Sequence, residues 1–127
     1  MIGMKFLRLS PRQKQGQLYE QLALSHLQRQ GLTLITRNYR CRSGEIDLVM
    51  RQRDMLVFVE VRYRHRADFG SALASVNYAK QRRVIHAAQH FLQHHPCYMN
   101  APCRFDVVAV STDAQGPRIE WISNAFD

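Results

Sequence analysis

Gly44-Glu45-Ile46-Asp47-Leu48-Val49-Met50, then Arg51-Gln52-Arg53-Asp54, then Met55-Leu56-Val57-Phe58-Val59-Glu60-Val61-Arg62-Tyr63-Arg64, is the stretch whose reading decides the fold. Two apolar runs rich in β-branched residues flank a short polar connector, the pattern of a β-hairpin. Side chains alternate along a strand, so Glu45, Asp47 and Val49 share one face and Ile46, Leu48 and Met50 the other. In the second strand Glu60 falls in line with Leu56, Phe58 and Arg62, opposite Val57, Val59 and Val61. A strand apolar on both sides is buried on both sides. A carboxylate there costs several kcal/mol unless a cation, a hydrogen-bond network or a metal compensates it. With a connector of about four residues, Asp47 falls beside Phe58 or Glu60. Adjacent carboxylates repel, and a divalent cation removes the repulsion. The alternative is an ion pair of Glu60 with Arg62 or Arg64 at the strand end and a solvated Asp47.

The rest of the chain narrows the class of protein. At 127 residues it suits one domain, 1–127, with residues 1–10 a mobile basic arm. Lysine and arginine number 18 against 10 aspartates and glutamates, a net charge of +8, which favours a polyanionic partner. Three sparse cysteines, Cys41, Cys97 and Cys103, form no disulfide framework and point to a reducing compartment, the cytoplasm. The N-terminus lacks the apolar region of a signal peptide, and no run is long enough for a membrane helix, so no membrane association is expected.

Around the hairpin, a helix is expected from about Pro11 to Gln30, stopped by Gly31, with Gly16, Glu20, Ala23 and Leu27 on one stripe. Glu20 is then a charge on the packed face, or lies at its margin bonded to an arginine. Leu32–Tyr39 reads as a first strand, and Arg40–Ser43 as a basic turn. Arg62-Tyr63-Arg64-His65-Arg66 sets an aromatic among basic side chains, as a nucleic-acid edge does. Ala67–Ala74 is a loop. A second helix runs to about His94 with Leu73, Val76, Val84, Ala87 and Phe91 on its stripe. Lys80 lies mid-stripe, either snorkelling to water or aimed at the buried carboxylates. His86, His90 and His94 recur at the i, i+4 spacing that can ligate zinc, but the face is polar and no catalytic signature accompanies it, so a solvated histidine face is expected. Arg104–Val110 and Arg118–Ile122 complete the strands, joined by a turn over Ser111–Gly116. The fold class is α/β: a mixed central sheet flanked by helices, in the order αβββαββ.

The hairpin residues above, together with Gly16, Glu20, Ala23 and Leu27, Asn38-Tyr39-Arg40, Lys80, Arg104-Phe105-Asp106-Val107-Val108 and Asn124-Ala125-Phe126, resemble the YraN family of small bacterial proteins. That family is similar to archaeal Holliday-junction resolvases and the restriction-endonuclease-like superfamily, whose D…(D/E)xK motif lies on such a hairpin. The resemblance implies a restriction-endonuclease-like domain and a metal-dependent DNA endonuclease acting on branched DNA such as Holliday junctions, in DNA repair or recombination. It also implies a homodimer on a two-fold substrate. Asp47 and Glu60 take the two acidic positions, with Glu20 as an extra acid on the first helix. Arg62 stands at the motif lysine, a departure. The implied cofactor is one or two Mg²⁺ or Mn²⁺ ions held by Asp47, Glu60 and the Val61 backbone carbonyl, with Glu20 as a further ligand. Arg62 orients and stabilises charge but is too basic to take a proton, and Lys80 is its candidate substitute. Arg40, Arg42, Arg62, Arg64 and Arg66 are the expected nucleic-acid contacts. The alternative is a nucleic-acid-binding protein that kept the fold and lost catalysis.

Overall fold

The computed structural model describes residues 9–64 and 73–127. Helix α1 (Pro11–Arg29) starts at a reciprocal cap: Ser10 Oγ accepts from Gln13 N–H while the Gln13 side chain accepts from Ser10 N–H. Ser10 is therefore part of the helix start and not of a mobile arm; residues 1–8 of the expected arm lie outside the described residues. The helix ends at Gly31, whose φ of 99° is the left-handed conformation glycine adopts freely.

Strands β1 (Thr33–Cys41), β2 (Gly44–Gln52) and β3 (Met55–Tyr63) form an antiparallel meander. A 3-10 turn at Leu73–Ser75 leads to α2 (Tyr78–His94), capped by Asn77. Strand β4 (Cys103–Asp113) then pairs parallel with β3, and β5 (Gly116–Phe126) pairs antiparallel with β4. The sheet order is β1-β2-β3-β4-β5, a mixed sheet flanked by helices with elements in the order αβββαββ.

Each helix covers its own face. Tyr19, Ala23, Leu24 and Leu27 of α1 pack on Leu48, Met50, Val57, Val59, Val108 and Val110. Val84, Ala87, Ala88 and Phe91 of α2 pack on Ile46, Val49, Leu56 and Phe58. The double covering is why β3 reads as an apolar run, since both of its faces lose water.

Several expectations need correction. The β2–β3 connector is two residues, Arg53 and Asp54, because the ladder continues to Gln52↔Met55 and Arg53 takes a left-handed φ of 56° that closes a tight turn. The last turn is likewise short, with Asp113↔Gly116 paired around Ala114 and Gln115. Leu73 and Val76 precede α2 instead of lying on its stripe, and Val76 packs on Val107 and Ala109. Gly16 is exposed, with no neighbour among the described residues where a Cβ would project, so the packed stripe of α1 begins at Tyr19. Strict alternation fails at Asp47. Ile46 joins Val49 on the α2 face, while Leu48 and Met50 face α1. Opposite Asp47, Asn38 holds a left-handed φ of 51°, and the β1–β2 ladder skips this pair. The expected loop residues Asp68-Phe69-Gly70-Ser71 lie outside the described residues.

Candidate active site

The β2–β3 ladder ends at Leu48↔Val59, and one step further Asp47 and Glu60 come beside each other. Of the two registers open to the sequence, the two-residue turn selects this one. Asp47 replaces the missing ladder bond with its side chain: Oδ2 accepts the Val61 N–H at 2.8 Å. The recorded contact of Val61 with the site is thus through its amide.

Glu60 is 1% exposed. Its Oε2 lies 3.1 Å from Lys80 Nζ, and its Oε1 has no hydrogen-bond partner among the described residues. Burial, then the charge of Asp47 beside it, raise the Glu60 carboxyl from an ordinary 4.5 to about 8, with Lys80 opposing the rise. This environment therefore favours the protonated form of Glu60 at neutral pH. A proton and Lys80 supply part of the positive charge that this corner of the sheet attracts.

Glu20 approaches from α1 but is engaged with β1. Its Oε1 accepts from Asn38 Nδ2 at 3.1 Å and lies 3.7 Å from Arg37 Nη2. Burial and the charge of Asp47 raise its carboxyl, while Arg37, the Asn38 bond and Arg40 pull it down. Glu20 thus feels Asp47 and is also bonded to an arginine, which joins the two readings its position allowed. Among the described residues no three His, Cys, Asp or Glu side chains converge as a ready cage for a metal. The donor set is the Asp47–Glu60 pair, whose free buried oxygen and mutual repulsion suit a hard divalent cation that keeps several waters.

The arginines are arranged otherwise than expected. Arg62 forms no ion pair with Asp47 or Glu60 among the described residues, and its Nε is buried without a partner there. Lys80 reaches Glu60 because α2 crosses directly over this corner. Arg64 lies 3.6 Å from Glu120 of β5, so its charge is shared within the fold. Arg40 and Arg42 stand exposed on the β1–β2 turn, and Arg66 lies outside the described residues. Two participants escaped the sequence reading, Glu45 and Arg83. Glu45 Oε1 lies 3.4 Å from Arg83 Nη2 and 3.9 Å from Lys80 Nζ, and Oε2 lies 3.6 Å from Arg40 Nε. The signal that points to this cluster is Gly44. A Cβ there would sit 1.9 Å from the Arg83 carbonyl oxygen, so only glycine lets α2 lie this close to the start of β2.

Residues 19–110 match the family described as "Uncharacterised protein family UPF0102". The chain belongs to the UPF0102 family, also called YraN. It is similar to a UPF0102 protein of Stutzerimonas stutzeri, 51% identical over 94% of this chain and 99% of that protein. A UPF0102 protein of Saccharophagus degradans is 55% identical over 87% of this chain and 91% of its own length. Among solved structures, Pyrococcus furiosus SfsA in complex with Ca²⁺ gives a TM-score of 0.33 at 12% identity, covering 86% of this chain and 62% of that one. This chain thus spans less than two thirds of SfsA, and so faint a likeness carries no weight for fold or ligand. No helix among the described residues of this UPF0102 protein is long and apolar enough to cross a membrane.

Proposed function

We propose that this UPF0102 protein is a metal-dependent nuclease that hydrolyses phosphodiesters of DNA at the Asp47–Glu60 corner. The observation that supports it is the Glu60 carboxylate, fully buried, with one oxygen unbonded and a second carboxylate beside it. A protein that needs only a fold has no use for that arrangement, because two carboxyls crowded in a buried corner, one of them ionising only at the cost of burial and of its neighbour's charge, destabilise it. Asp47 and Glu60 would hold Mg²⁺ or Mn²⁺, with the Val61 carbonyl and Glu20 as further oxygen donors. A bound ion would supply Lewis-acid polarisation of the phosphate and activation of water. Asp47, fixed by the Val61 amide, orients the donor pair. Lys80 holds Glu60 from the other side and stands where a lysine can position a water. Arg62 contributes fixed positive charge but no proton acceptance. Arg40 and Arg42 on the adjoining turn would bind the DNA backbone. Branched DNA such as a Holliday junction, and a homodimer to match it, remain the preferred substrate and assembly on the resemblance to resolvases.

The test is cleavage of branched, flapped, single-stranded and linear DNA with Mg²⁺ or Mn²⁺, with Asp47→Ala as control. Cleavage that Asp47→Ala and Lys80→Ala abolish, and that Arg62→Lys increases, supports the reading. A second reading, a DNA-binding protein without catalysis, is favoured by one observation: Lys80 already occupies Glu60 Oε2 as a built-in cation. DNA binding with no cleavage of any substrate would establish it.

A further inference from the structure

We propose that the cleft between the β1–β2 turn and α2 is a seat for one phosphodiester of a nucleic-acid strand, filled in the free protein by the carboxylate of Glu45. This inference rests on the nucleic-acid reading above and names where the strand lies against the site.

Glu45 is one carboxylate shared by three cations, Arg40, Arg83 and Lys80, at 3.6, 3.4 and 3.9 Å. All three separations exceed the ~2.7–2.9 Å of a close charge-assisted hydrogen bond. The Arg40 and Arg83 side chains are 74% and 55% exposed, so each pair is weak and easily exchanged. Lys80 differs, since its 3.1 Å contact with buried Glu60 holds it in place when Glu45 leaves. The cluster therefore has a lysine held from two sides, two exposed guanidiniums and a weakly paired anion.

A phosphodiester has the same single negative charge as the carboxylate and the oxygen geometry that a guanidinium fork matches. The space for it exists: a cavity of about 310 Å³ is lined by Arg40, Arg42, Ser43, Gly44, Glu45 and Arg83. Arg42, exposed at the turn, adds a further guanidinium. The walls are held together by the contact of Gly44 with the Arg83 backbone, which admits no side chain. A phosphate that displaces Glu45 keeps the company of Lys80, which also touches Glu60. The seat is thus for a phosphate neighbouring the one at the Asp47–Glu60 pair. The net charge of +8 favours a polyanion, and the guanidinium forks of Arg40, Arg42 and Arg83 around the cavity suit the phosphates of a nucleic acid.

The experiment measures binding of fluorescein-labelled oligothymidylate by anisotropy across a salt series, in EDTA so that no cleavage intervenes. Glu45→Gln removes the competing anion and keeps the shape. It should tighten binding at low salt by about 3- to 10-fold and steepen the salt dependence by about one phosphate contact, a slope change of ~0.7 for a single strand. Arg83→Gln should weaken binding and flatten the slope by a similar amount. Labelled poly-glutamate serves as the other polyanion. Unchanged or weaker oligonucleotide binding by Glu45→Gln overturns the seat, and equal tightening toward poly-glutamate overturns its assignment to nucleic acid. If Glu45→Gln does not fold, Arg83→Gln and Arg40→Gln carry the test, and unaltered binding by both overturns it. The hydrolase reading fails separately: absent Mg²⁺-dependent cleavage with tighter Glu45→Gln binding sinks catalysis alone, whereas Asp47-dependent cleavage with no Glu45 effect sinks the seat alone. No binding by any of the proteins overturns both.

Discussion

Two carboxylates lie at the centre of this sheet on neighbouring strands, and they are treated in opposite ways. Asp106 on β4 is 0% exposed and fully answered: Arg104 Nε donates at 3.0 Å, Trp121 Nε1 at 2.9 Å and the Asn124 amide at 2.9 Å. Arg104 is itself anchored by Gln52 at 2.8 Å. Glu60 on β3 is equally buried, yet among the described residues it has one lysine, one repelling neighbour and one unbonded oxygen. Asp106 ties β4 to β5 across a bulge in their pairing, at Phe105/Val107. It is a structural carboxylate. The same fold that supplies it with donors gives Glu60 fewer, which fits the ligand-holding role proposed for Glu60 above.

The largest effect should come from breaking the satisfied member. Asp106→Ala leaves Arg104 and the Trp121 and Asn124 donors without their acceptor inside the fold. Removing one partner of a buried ionic network costs about 3–5 kcal/mol. Urea unfolding of the variant should show a loss in that range at every pH from 6 to 9. A loss below about 1 kcal/mol would make Asp106 no more structural than Glu60 and dissolve the contrast.

The Glu60 counterpart is Lys80→Met, whose cost should depend on pH. Near pH 6 Glu60 holds a proton and the lysine matters little, so a loss of about 1 kcal/mol is expected. As pH rises past about 8 the wild-type carboxylate ionises against Lys80, while in the variant it has no cation. The loss should grow toward about 3 kcal/mol. Denaturant midpoints measured at both ends of this range check it, and a pH-independent loss would show Lys80 to be packing rather than charge.

Much of this contrast was legible in the sequence, and its limits have physical causes. A charge inside an apolar strand marks Glu60, because period-2 alternation needs only local sequence. The helix stripe marks Lys80 for the same reason. Satisfaction is not local. Arg104 stands two residues before Asp106 on the same face, but Trp121 and Asn124 arrive from β5 through a bulge that no spacing reveals. Asp47 and Glu60 become neighbours only once the turn is known to be two residues long. Arg62 looked like the partner of the carboxylates because it is close in sequence, and Lys80 takes that place because α2 crosses over the strand end. The Glu45 cluster depends on the Gly44–Arg83 crossing, a long-range contact that a lone glycine only hints at.

A slope with pH, and not a fixed offset, tests the proton on Glu60. Its carboxyl is raised in the folded protein, so the folded state keeps the proton when the unfolded chain has lost it. Stability from this group is fully present below about 4.5 and is lost as pH rises through about 8. In metal-free buffer the difference in unfolding free energy between wild type and Glu60→Gln should therefore move in favour of the variant across that window. The slope should be at most about 1.4 kcal/mol per pH unit. Asp106→Asn, compared in the same way, serves as the reference. A flat difference for Glu60→Gln would mean that Glu60 is ionised in the free protein and already compensated.

The smallest signal is the one that connects the proton to the proposed metal. A divalent cation held by Asp47 and Glu60 requires both as carboxylates, so at neutral pH its binding must expel the Glu60 proton. Titration of Mn²⁺ or Mg²⁺ at pH 7 should thus release nearly one proton per site, read as the dependence of the calorimetric enthalpy on the ionisation enthalpy of the buffer. At pH 9 the release should fall toward zero, because the proton has already gone. Glu60→Gln should abolish the buffer dependence together with the tight phase of binding. Asp106, bonded to three fixed donors, contributes nothing to either. Metal binding with no proton release at pH 7 would place the ion elsewhere on the chain. Release that persisted in Glu60→Gln would move the proton to another group and leave the unbonded oxygen of Glu60 without a ligand.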